Sequence, residues 1–264
     1  MRTAIRRALE AFPDRPVLID HFLENAYEFD VDAVADGEQV VIGGVMQHIE
    51  EAGVHSGDSS CVLPPYTITN EQFDMLTSFT KKLAKRLNVI GLLNIQYAMQ
   101  NGNIYVIEVN PRASRTVPFV AKATGVQLAQ FATRIMLGEK IQDLGIRDFS
   151  LSAKRVAIKE SVFPFMKFQK ANVFLGPEMR STGEVMGIDV SFGAAIIKSH
   201  ISSGNKLPTQ GMVFISLNNQ DKTKRAIMLA KGYQEAGFTL CATTGTARFL
   251  QENGVEAMTV LKHY

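Results

Sequence analysis

The chain has 264 residues, of which 46% are apolar and 20% charged, and its formal net charge is +2 at pH 7. This composition is typical of a soluble globular protein, and the length suits two domains. Charges of both signs are interspersed without a basic run, which argues against binding to nucleic acid or membrane. No apolar run could span a bilayer and no signal-peptide core is present, so we expect a cytoplasmic protein. Cys61 and Cys241 match no metal or redox spacing, which predicts free thiols.

The N-terminal part is predicted to begin with a helix and to continue as strands. The helix ends before Pro13, and the strands follow from an apolar run and from strict alternation of polar and apolar residues. Asp36-Gly37 is a turn signal that joins the last two strands in a hairpin. The predicted elements are a helix over residues 3–12 and strands over residues 17–23, 28–33 and 40–45.

The middle of the chain combines a loop with a helix and a second hairpin. Gly, Ser and Pro dominate residues 51–66, which predicts an ordered loop of functional type. Thr69 can cap a helix with apolar residues at three- and four-residue spacing. Strands over 92–99 and 104–110 follow, and then a helical stretch after Pro118 that is interrupted by Gly125 and ends near Gly138. Residues 154–187 show no periodicity and are predicted to be irregular.

The C-terminal part alternates between strand and helix after a linker at residues 203–208, which follows a helix over 192–202. This alternation predicts a parallel sheet with crossover helices. The predicted elements are strands over 212–217, 238–243 and 255–260 and helices over 222–236 and 246–253. With only three strands, this second domain is expected to be incomplete. The fold class is therefore α/β, with an α+β domain over 1–205 and a partial parallel Rossmann-like domain over 206–264.

The hairpin around Asn101-Gly102 carries the candidate site. Its apolar residues occupy odd positions in the first strand and mainly odd positions in the second, so burying both rows together requires odd positions to face odd positions. Gln96 then lies on the same face as Glu108 and Asn110. A two-residue turn would pair odd with even positions and would count against this site. We therefore predict a three-residue connection over 101–103.

A carboxylate and two amides converge in this way beside Arg112 and Arg115. Hard oxygen ligands suit Mg²⁺, which keeps waters and phosphate oxygens in its shell, and arginine suits phosphate. The set indicates phosphoryl transfer, in which positioning and charge neutralisation supply most of the catalysis. The alternative is a solvated polar strand face with surface arginines, and periodicity alone favours it.

Longer strings carry a family resemblance. Glu-Val-Asn-Pro-Arg-Ala-Ser-Arg at 108–115, with Thr-Val-Pro-Phe-Val-Ala-Lys-Ala-Thr-Gly after it, resembles the ATP-grasp signature of carbamoyl phosphate synthetases. The strings at 52–59 and 175–187 look like motifs of the same family. Residues 115–119 resemble the half of that enzyme that phosphorylates carbamate rather than bicarbonate. Glu-x-Asn-Pro-Arg alone is shared with biotin carboxylases and other ATP-grasp ligases, but the resemblance extends from about Pro16 to the end of the chain.

The resemblance implies roles for individual residues. Gln96, Glu108 and Asn110 match cation-binding positions, Arg112 matches an arginine beside the phosphates, and Arg115 lies close by as a second catalytic arginine. Gln96 and Glu108 also border the nucleotide. The implied cofactors are ATP and Mg²⁺ or Mn²⁺, with K⁺ as a further cation. The matched nucleotide-binding positions are His21, Leu23, Glu28, Gly53, Val54, His55 and Ser56. Without the resemblance, His21 would be interpreted as a core histidine, and Glu28, like Asp30 and Asp32, as a solvated strand residue.

The resemblance also implies effectors. Glu50, Asp58 and Glu160 resemble acidic positions that bind the activator ornithine. The second domain resembles the start of a regulatory domain related to methylglyoxal synthase. Its positions for the phosphate of nucleotide monophosphate effectors are matched by Thr243, Thr246 and Lys262, and a further lysine is either Lys222 or Lys224.

The implied function is that of part of the large subunit of glutamine-hydrolysing carbamoyl phosphate synthase. In the complete enzyme this site would transfer a phosphoryl group from ATP to carbamate, in pyrimidine and arginine biosynthesis. Its partners would be the rest of the large chain and a small glutaminase subunit. The first glycine, Gly37, already lies in a hairpin, so we expect a fragment without the glycine-rich-loop lobe that is inactive alone. The alternatives are a fragment of another ATP-grasp ligase, such as a carboxylase, and a regulatory module that binds ornithine or a nucleotide.

Overall fold

The computed structural model describes residues 2–19, 21–152, 154–165 and 173–261. The chain divides into two compact units, Met1–Asn205 and Lys206–Tyr264. Within the described ranges, no helix has both the length and the apolar character that a membrane crossing requires. Both cysteines are buried free thiols.

The first unit is built on a seven-stranded sheet in which every neighbouring pair is antiparallel. The strand order is β5-β4-β1-β2-β3-β6-β7. The strands are β1 (Tyr27–Asp36), β2 (Val40–His48), β3 (Cys61–Leu63), β4 (Ile90–Gln100), β5 (Asn103–Asn110), β6 (Val156–Val162) and β7 (Gly183–Asp189).

Helices cover both faces of this sheet, so β1 and β2 are buried almost throughout. One face packs against α2, whose Leu76 belongs to the same buried cluster as Phe29 and Tyr97, and the other packs against α3 and α4. Leu128 of α4 lies so close to the sheet that a Cβ built on Gly43 would approach its methyl groups to 2.6 Å. The helices are α1 (Arg2–Ala11), α2 (Asn70–Arg86), α3 (Val117–Thr124), α4 (Leu128–Met136), α5 (Ile141–Leu144) and α6 (Phe192–Ser202).

The second unit is a small parallel sheet in the order β10-β9-β8 with two helices. Its core is formed by apolar residues of β9 and of the helices, including Leu240 and Leu250. The α/β class predicted from the alternation is confirmed. The elements are β8 (Met212–Ile215), α7 (Lys224–Glu235), β9 (Thr239–Thr243), α8 (Thr244–Glu252) and β10 (Met258–Val260).

Two predictions of secondary structure were wrong. The described residues of 17–23 form no strand, because Leu18, Ile19 and Phe22 are exposed and no neighbouring strand satisfies their backbone. Residues 154–187 were predicted to be irregular but contain β6 and β7. The polar residues Lys159 and Ser161 are buried in β6, which hides the alternation that identifies a strand.

The predicted three-residue connection between β4 and β5 was also wrong. Gln100 is opposite Asn103, and the two-residue turn between them has φ of 50° at Asn101 and 79° at Gly102, as a type I′ turn requires. The expected pairing nevertheless occurs further along the hairpin. A β-bulge leaves Ile107 without a partner and shifts the register, so that Tyr97 faces Val106 but Gln96 faces Glu108.

Candidate functional site

Polar residues of β1, β4 and β5 lie side by side on one face of the sheet. Residues that are directly opposite each other on neighbouring strands point to the same face, so each row of opposed residues forms a continuous polar strip. Two such rows cross the three strands, Asp30–Gln96–Glu108 and Asp32–Asn94–Asn110.

These rows are not a solvated strand face where they cross β1. Asp30 and Asp32 are 1% and 0% exposed, and Asn94 is 3% exposed. Asp30, Asp32 and Asn94 were therefore missed from the sequence. Glu28 is also buried, so its alternative interpretation as a solvated residue was wrong. Alternation showed which face the acids share, but the helices that cover this face are remote in sequence.

Asp32 holds the segment that follows β5 in place through side-chain hydrogen bonds. Ser114 Oγ donates to Asp32 Oδ1 at 2.7 Å, and Thr116 Oγ1 donates to Asp32 Oδ2 at 2.6 Å. Asn94 Nδ2 also donates to Oδ1, at 3.0 Å. Burial raises the pKa of Asp32 to about 6 against the opposing effect of these three hydrogen bonds. Because Ser114 and Thr116 flank Arg115, Asp32 fixes the backbone from which this arginine extends.

The predicted cation-binding residues line a cavity of about 300 Å³. Among the residues that the structure describes, the side chains of Gln96, Glu108 and Asn110 have no hydrogen-bond partner, so their oxygens are available to a ligand. The other lining residues are Asp30, His55, Ser56, Gly57, Asn94, Arg112, Ser114, Arg115, Thr116, Lys159 and Glu184.

This donor set fits a magnesium-type cation. One carboxylate and two amide oxygens are hard ligands, whereas no described group of three or more His, Cys, Asp and Glu residues could hold a metal ion. Mg²⁺ is commonly held by one or two carboxylates, with waters and substrate phosphates completing its shell. The residues therefore fit a cation that arrives with a nucleotide rather than one enclosed by protein ligands.

A second cavity of about 440 Å³ is lined by all the residues predicted to bind the nucleotide, namely His21, Leu23, Glu28, Gly53, Val54, His55 and Ser56. It shares His55, Ser56, Gln96 and Glu108 with the first cavity, so the two adjoin. Gly53 has a φ of 108°, and a Cβ there would approach the Phe22 ring to 2.9 Å, which explains the glycine.

His55 stands at the junction of the two cavities. Its Nδ1 accepts a hydrogen bond from the Gly57 backbone N–H at 3.0 Å. An imidazole nitrogen that accepts carries no proton, so the neutral ring carries its proton on Nε2. The loop therefore leaves Nε2 as the donor nitrogen of a residue that lines both cavities.

A buried acid–histidine cluster backs the nucleotide cavity and was also missed. Nε2 of His48 lies 2.9 Å from Asp30 Oδ2, whereas its Nδ1 has no hydrogen-bond partner and lies 3.7 Å from Glu28 Oε2. Burial lowers the pKa of His48, but Cys61 and Asp30 outweigh it and raise that pKa well above the usual value. Burial raises the pKa of Glu28, and the nearby His48 partly offsets this rise.

The predicted arginines reach the first cavity from the segment after β5. Arg112 donates from Nη1 to the Ala113 carbonyl at 3.0 Å, and Arg115 contacts the thioether of Met179. Both arginines are exposed, as is Glu108. In the same cavity, β6 supplies Lys159 and β7 supplies Glu184, and neither residue was predicted because these strands were not.

Each acidic residue proposed for ornithine has a protein partner. Glu50 accepts from the Ser60 N–H at 2.7 Å, and Glu160 accepts from Ser199 Oγ at 2.8 Å and lies 2.9 Å from His200 Nδ1. Asp58 is buried and accepts from the backbone N–H groups of residues 180 and 181. Pairing between β3 and β6 places Glu160 next to Ser60, and thus near Glu50.

In the second unit, hydroxyl groups gather where β9 meets α8. Thr243 Oγ1 lies 3.2 Å from Thr246 Oγ1 and 3.3 Å from Ser216 Oγ. The sequence did not decide whether Lys222 or Lys224 belongs to this cluster. Lys222 lies next to it, since its Nζ is 3.3 Å from the position that a Cβ on Gly245 would take. Lys262 lies outside the described residues.

Two family models match parts of this chain. Residues 1–144 match the family model described as "Carbamoyl-phosphate synthase L chain, ATP binding domain", and residues 225–264 match an "MGS-like domain". A biotin carboxylase domain of a single-chain bacterial carboxylase has the same fold over 62% of this chain and 37% of its own length, with a TM-score of 0.52 and 17% sequence identity.

Relatives match nearly the whole chain. The large chain of carbamoyl phosphate synthase from Archaeoglobus fulgidus is 55% identical over 258 residues, which cover 98% of this chain and 24% of that protein. A C-terminal section of this large chain from Methanocaldococcus jannaschii is 51% identical over 268 residues, which cover 98% of this chain and 43% of that protein. This chain thus spans about a quarter of the first relative and less than half of the second. It belongs to the carbamoyl phosphate synthase large-chain family.

Proposed function

We propose that the first unit binds ATP with a divalent cation and phosphorylates carbamate as part of a carbamoyl phosphate synthase large chain. The four residues shared by the two cavities carry this proposal, because they place the predicted nucleotide-binding residues next to the oxygen donors and arginines. Adenosine would lie near Leu23 and Glu28, and the terminal phosphate would lie near Glu108 and Arg112. The glutaminase small subunit and the rest of the large chain would be its partners.

The residues of this chain would act mainly by positioning and by charge. Mg²⁺ or Mn²⁺, when bound by Gln96, Glu108 and Asn110, supplies neutralisation of phosphate charge. Arg112 binds phosphate oxygens through its planar fork, and His55 donates from Nε2 in the region shared by both cavities. Such fixed donors stabilise the charge that spreads over the transferred phosphoryl group. K⁺ is a further proposed cation, without an assigned site.

Calorimetric titration of the 264-residue chain with ATP tests this proposal. We expect binding that weakens at least about tenfold when EDTA removes the divalent cation, because the carboxylate of Glu108 would then face the phosphates without a cation between them. The variant Glu108→Gln should lose most of this dependence on the cation. Glu71→Gln, which makes the same change on the exposed surface of α2, should bind like the wild type.

Binding that is independent of the cation, or equal in the wild type and Glu108→Gln, would contradict the proposed site. Phosphoryl transfer itself is measured in reverse, as ATP formed from ADP and carbamoyl phosphate. This assay should use an intact large chain that contains these residues, because the matched relatives are much longer than this chain.

A regulatory role is the second candidate, and the hydroxyl cluster of the second unit supports it. Ser216, Thr243 and Thr246 lie within hydrogen-bonding distance along a chain of hydroxyls, and α8 begins at Thr244, where N-terminal amides favour a phosphate. We propose that this cluster and Lys222 bind the phosphate of a nucleotide monophosphate, and that Glu50, Asp58 and Glu160 bind ornithine.

Separate titrations with uridine monophosphate and ornithine test the regulatory candidate. We expect Thr246→Val to weaken binding of the nucleotide by about tenfold and to leave binding of ornithine unchanged, since loss of a hydrogen bond to a charged ligand costs about 1.5–3 kcal/mol. Equal affinity of the wild type and this variant for the nucleotide would refute the phosphate site.

A further inference from the structure

Lys159 and Asp30 are the two charged residues that are almost fully buried in the wall of the first cavity, which is called the phosphate cavity below, and Asp30 is hydrogen-bonded to His48. The residue exposure of Lys159 is 1%, and its Nζ donates to the Ser56 carbonyl at 3.2 Å. It takes part in none of the ion pairs within the described ranges. Two of the three ammonium donors of Lys159 are thus left for a group that is not one of the described residues.

A buried ammonium without a counter-charge is unfavourable. Lysine is almost never fully buried unless it is paired, because transfer of an unpaired charge out of water costs far more than one neutral hydrogen bond returns. The nearest space for a counter-charge is the cavity that Lys159 lines. An anionic ligand in this cavity would complete the hydrogen bonding of Nζ and neutralise its charge.

The position of Lys159 indicates which part of the ligand it meets. The nucleotide cavity includes His55, Ser56, Gln96 and Glu108 but does not include Lys159 or Glu184. Lys159 therefore lines only the phosphate cavity, and its Nζ is held by Ser56, which lines both cavities. A group that Nζ binds in the phosphate cavity lies beside the terminal phosphate of a nucleotide bound in the adjoining cavity, and a phosphoryl acceptor must also lie beside that phosphate for in-line transfer.

We infer that Lys159 binds the phosphoryl acceptor, a small anion that carries a carboxylate or carbamate group, through Nζ. This inference rests on the proposed function of the same site. In the step, an acceptor oxygen forms a bond to the terminal phosphorus of ATP while the bond from this phosphorus to the β,γ-bridging oxygen breaks. ADP leaves with the electron pair and no proton is transferred. Lys159 draws the anionic acceptor towards an anionic phosphate and so offsets their repulsion.

Two measurements on the 264-residue chain test the role of Lys159. Carbamoyl phosphate is titrated into chain saturated with Mg–ADP, and we expect Lys159→Met to weaken its binding by about 10- to 100-fold, as the loss of a charge-assisted hydrogen bond implies. Affinity for Mg–ADP should change by less than about twofold, since the nucleotide cavity does not include this residue. Lys82→Met, an exposed lysine of α2, is the matched control.

Thermal unfolding without ligand separates ligand binding from a structural role. A lysine buried for a ligand is costly when no anion is present, so the ligand-free Lys159→Met chain should unfold at a higher temperature than the wild type. Carbamoyl phosphate with Mg–ADP should then raise the unfolding temperature of the wild type more than that of the variant.

Three results would overturn the inference. The first is equal affinity for carbamoyl phosphate, and the second is an equal loss of affinity for Mg–ADP, which would assign Lys159 to the nucleotide. The third is a ligand-free variant that unfolds earlier or does not fold, which would make the lysine structural. A wild-type chain that does not bind Mg–ADP would refute the proposed function, and ligand-free unfolding would still decide whether Lys159 is structural.

Discussion

The two ends of the polar rows in the first unit differ in a way that separates structural from ligand-binding residues. At the β1 end, Asp30 and Asp32 are buried, and both accept hydrogen bonds from protein groups. At the β5 end, Glu108 is exposed and Asn110 is half-buried, and neither side chain has a hydrogen-bond partner among the described residues. The same strand alternation thus supplies a rigid support at one end and free oxygen donors at the other.

The difference follows from the position of each strand in the sheet. β1 lies in the interior of the sheet, between β4 and β2, whereas β5 is an edge strand. A carboxylate in the interior must satisfy its oxygens with protein groups, because water cannot reach it. A carboxylate at the edge keeps its water and can exchange that water for a cation. Mutations at the β1 end should therefore change stability, and mutations at the β5 end should change binding.

Asp32→Ala should have the largest effect on folding. It leaves Ser114, Thr116 and Asn94 without an acceptor at a site that is 0% exposed, and we expect a loss of about 3 kcal/mol in the free energy of unfolding. Urea unfolding at pH 7 measures this loss, with the exposed Glu38→Ala on the same hairpin as control. A loss no larger than that of the control would show that the β1 end does not support the arginine segment.

The pH dependence of stability should also reveal the buried end. Burial raises the pKa of Asp32 from 3.8 to about 6, so the folded chain binds more protons than the unfolded chain between these values. Stability therefore falls as pH rises through this window, by up to about 3 kcal/mol from this group. Asp32→Asn should remove this pH-dependent part of the stability. It is measured as the difference between the wild type and the variant in how the free energy of unfolding changes from pH 4 to pH 7. Parallel curves would refute it.

The sequence predicted the β5 end of the site better than the β1 end. Alternation placed Gln96 with Glu108 and Asn110, and the Glu-Val-Asn-Pro-Arg string supplied their chemistry. Alternation cannot show which strand is interior, because that depends on pairing between segments remote in sequence. Asp30 and Asp32 were for this reason interpreted as solvated residues.

Local signals explain which elements were predicted and which were missed. The helix after Thr69 has its capping box with Gln72, so its start could be predicted from nearby residues. β6 could not, because Lys159 is buried by contact with a distant loop rather than by local periodicity. The hairpin turn shows a third case, in which the local Asn-Gly signal was correct and was set aside to satisfy a register that the bulge at Ile107 restores.

Gly102→Ala tests whether the hairpin turn is independent of the site. The glycine has a φ of 79° and a Cβ there would meet nothing within 4 Å, so backbone strain is the only expected cost, about 1 kcal/mol of unfolding free energy. Binding of Mg–ATP by the folded chain should be unchanged, because the bulge at Ile107 lies between the turn and Glu108. Weakened binding in calorimetric titration would show that the turn controls the register at Glu108.

Glu108→Ala should have the smallest effect on the folding of the ligand-free chain. The side chain is exposed and has no partner among the described residues, so the free energy of unfolding should change by less than about 0.5 kcal/mol. With Mg–ATP the two chains should differ, because a ligand at 100 times its dissociation constant stabilises the wild type by about 2.7 kcal/mol. Urea unfolding with and without Mg–ATP measures both quantities. If the variant were destabilised without ligand, Glu108 would have a structural role like that of Asp32. The proposed difference between the β1 and β5 ends of the rows would then be wrong.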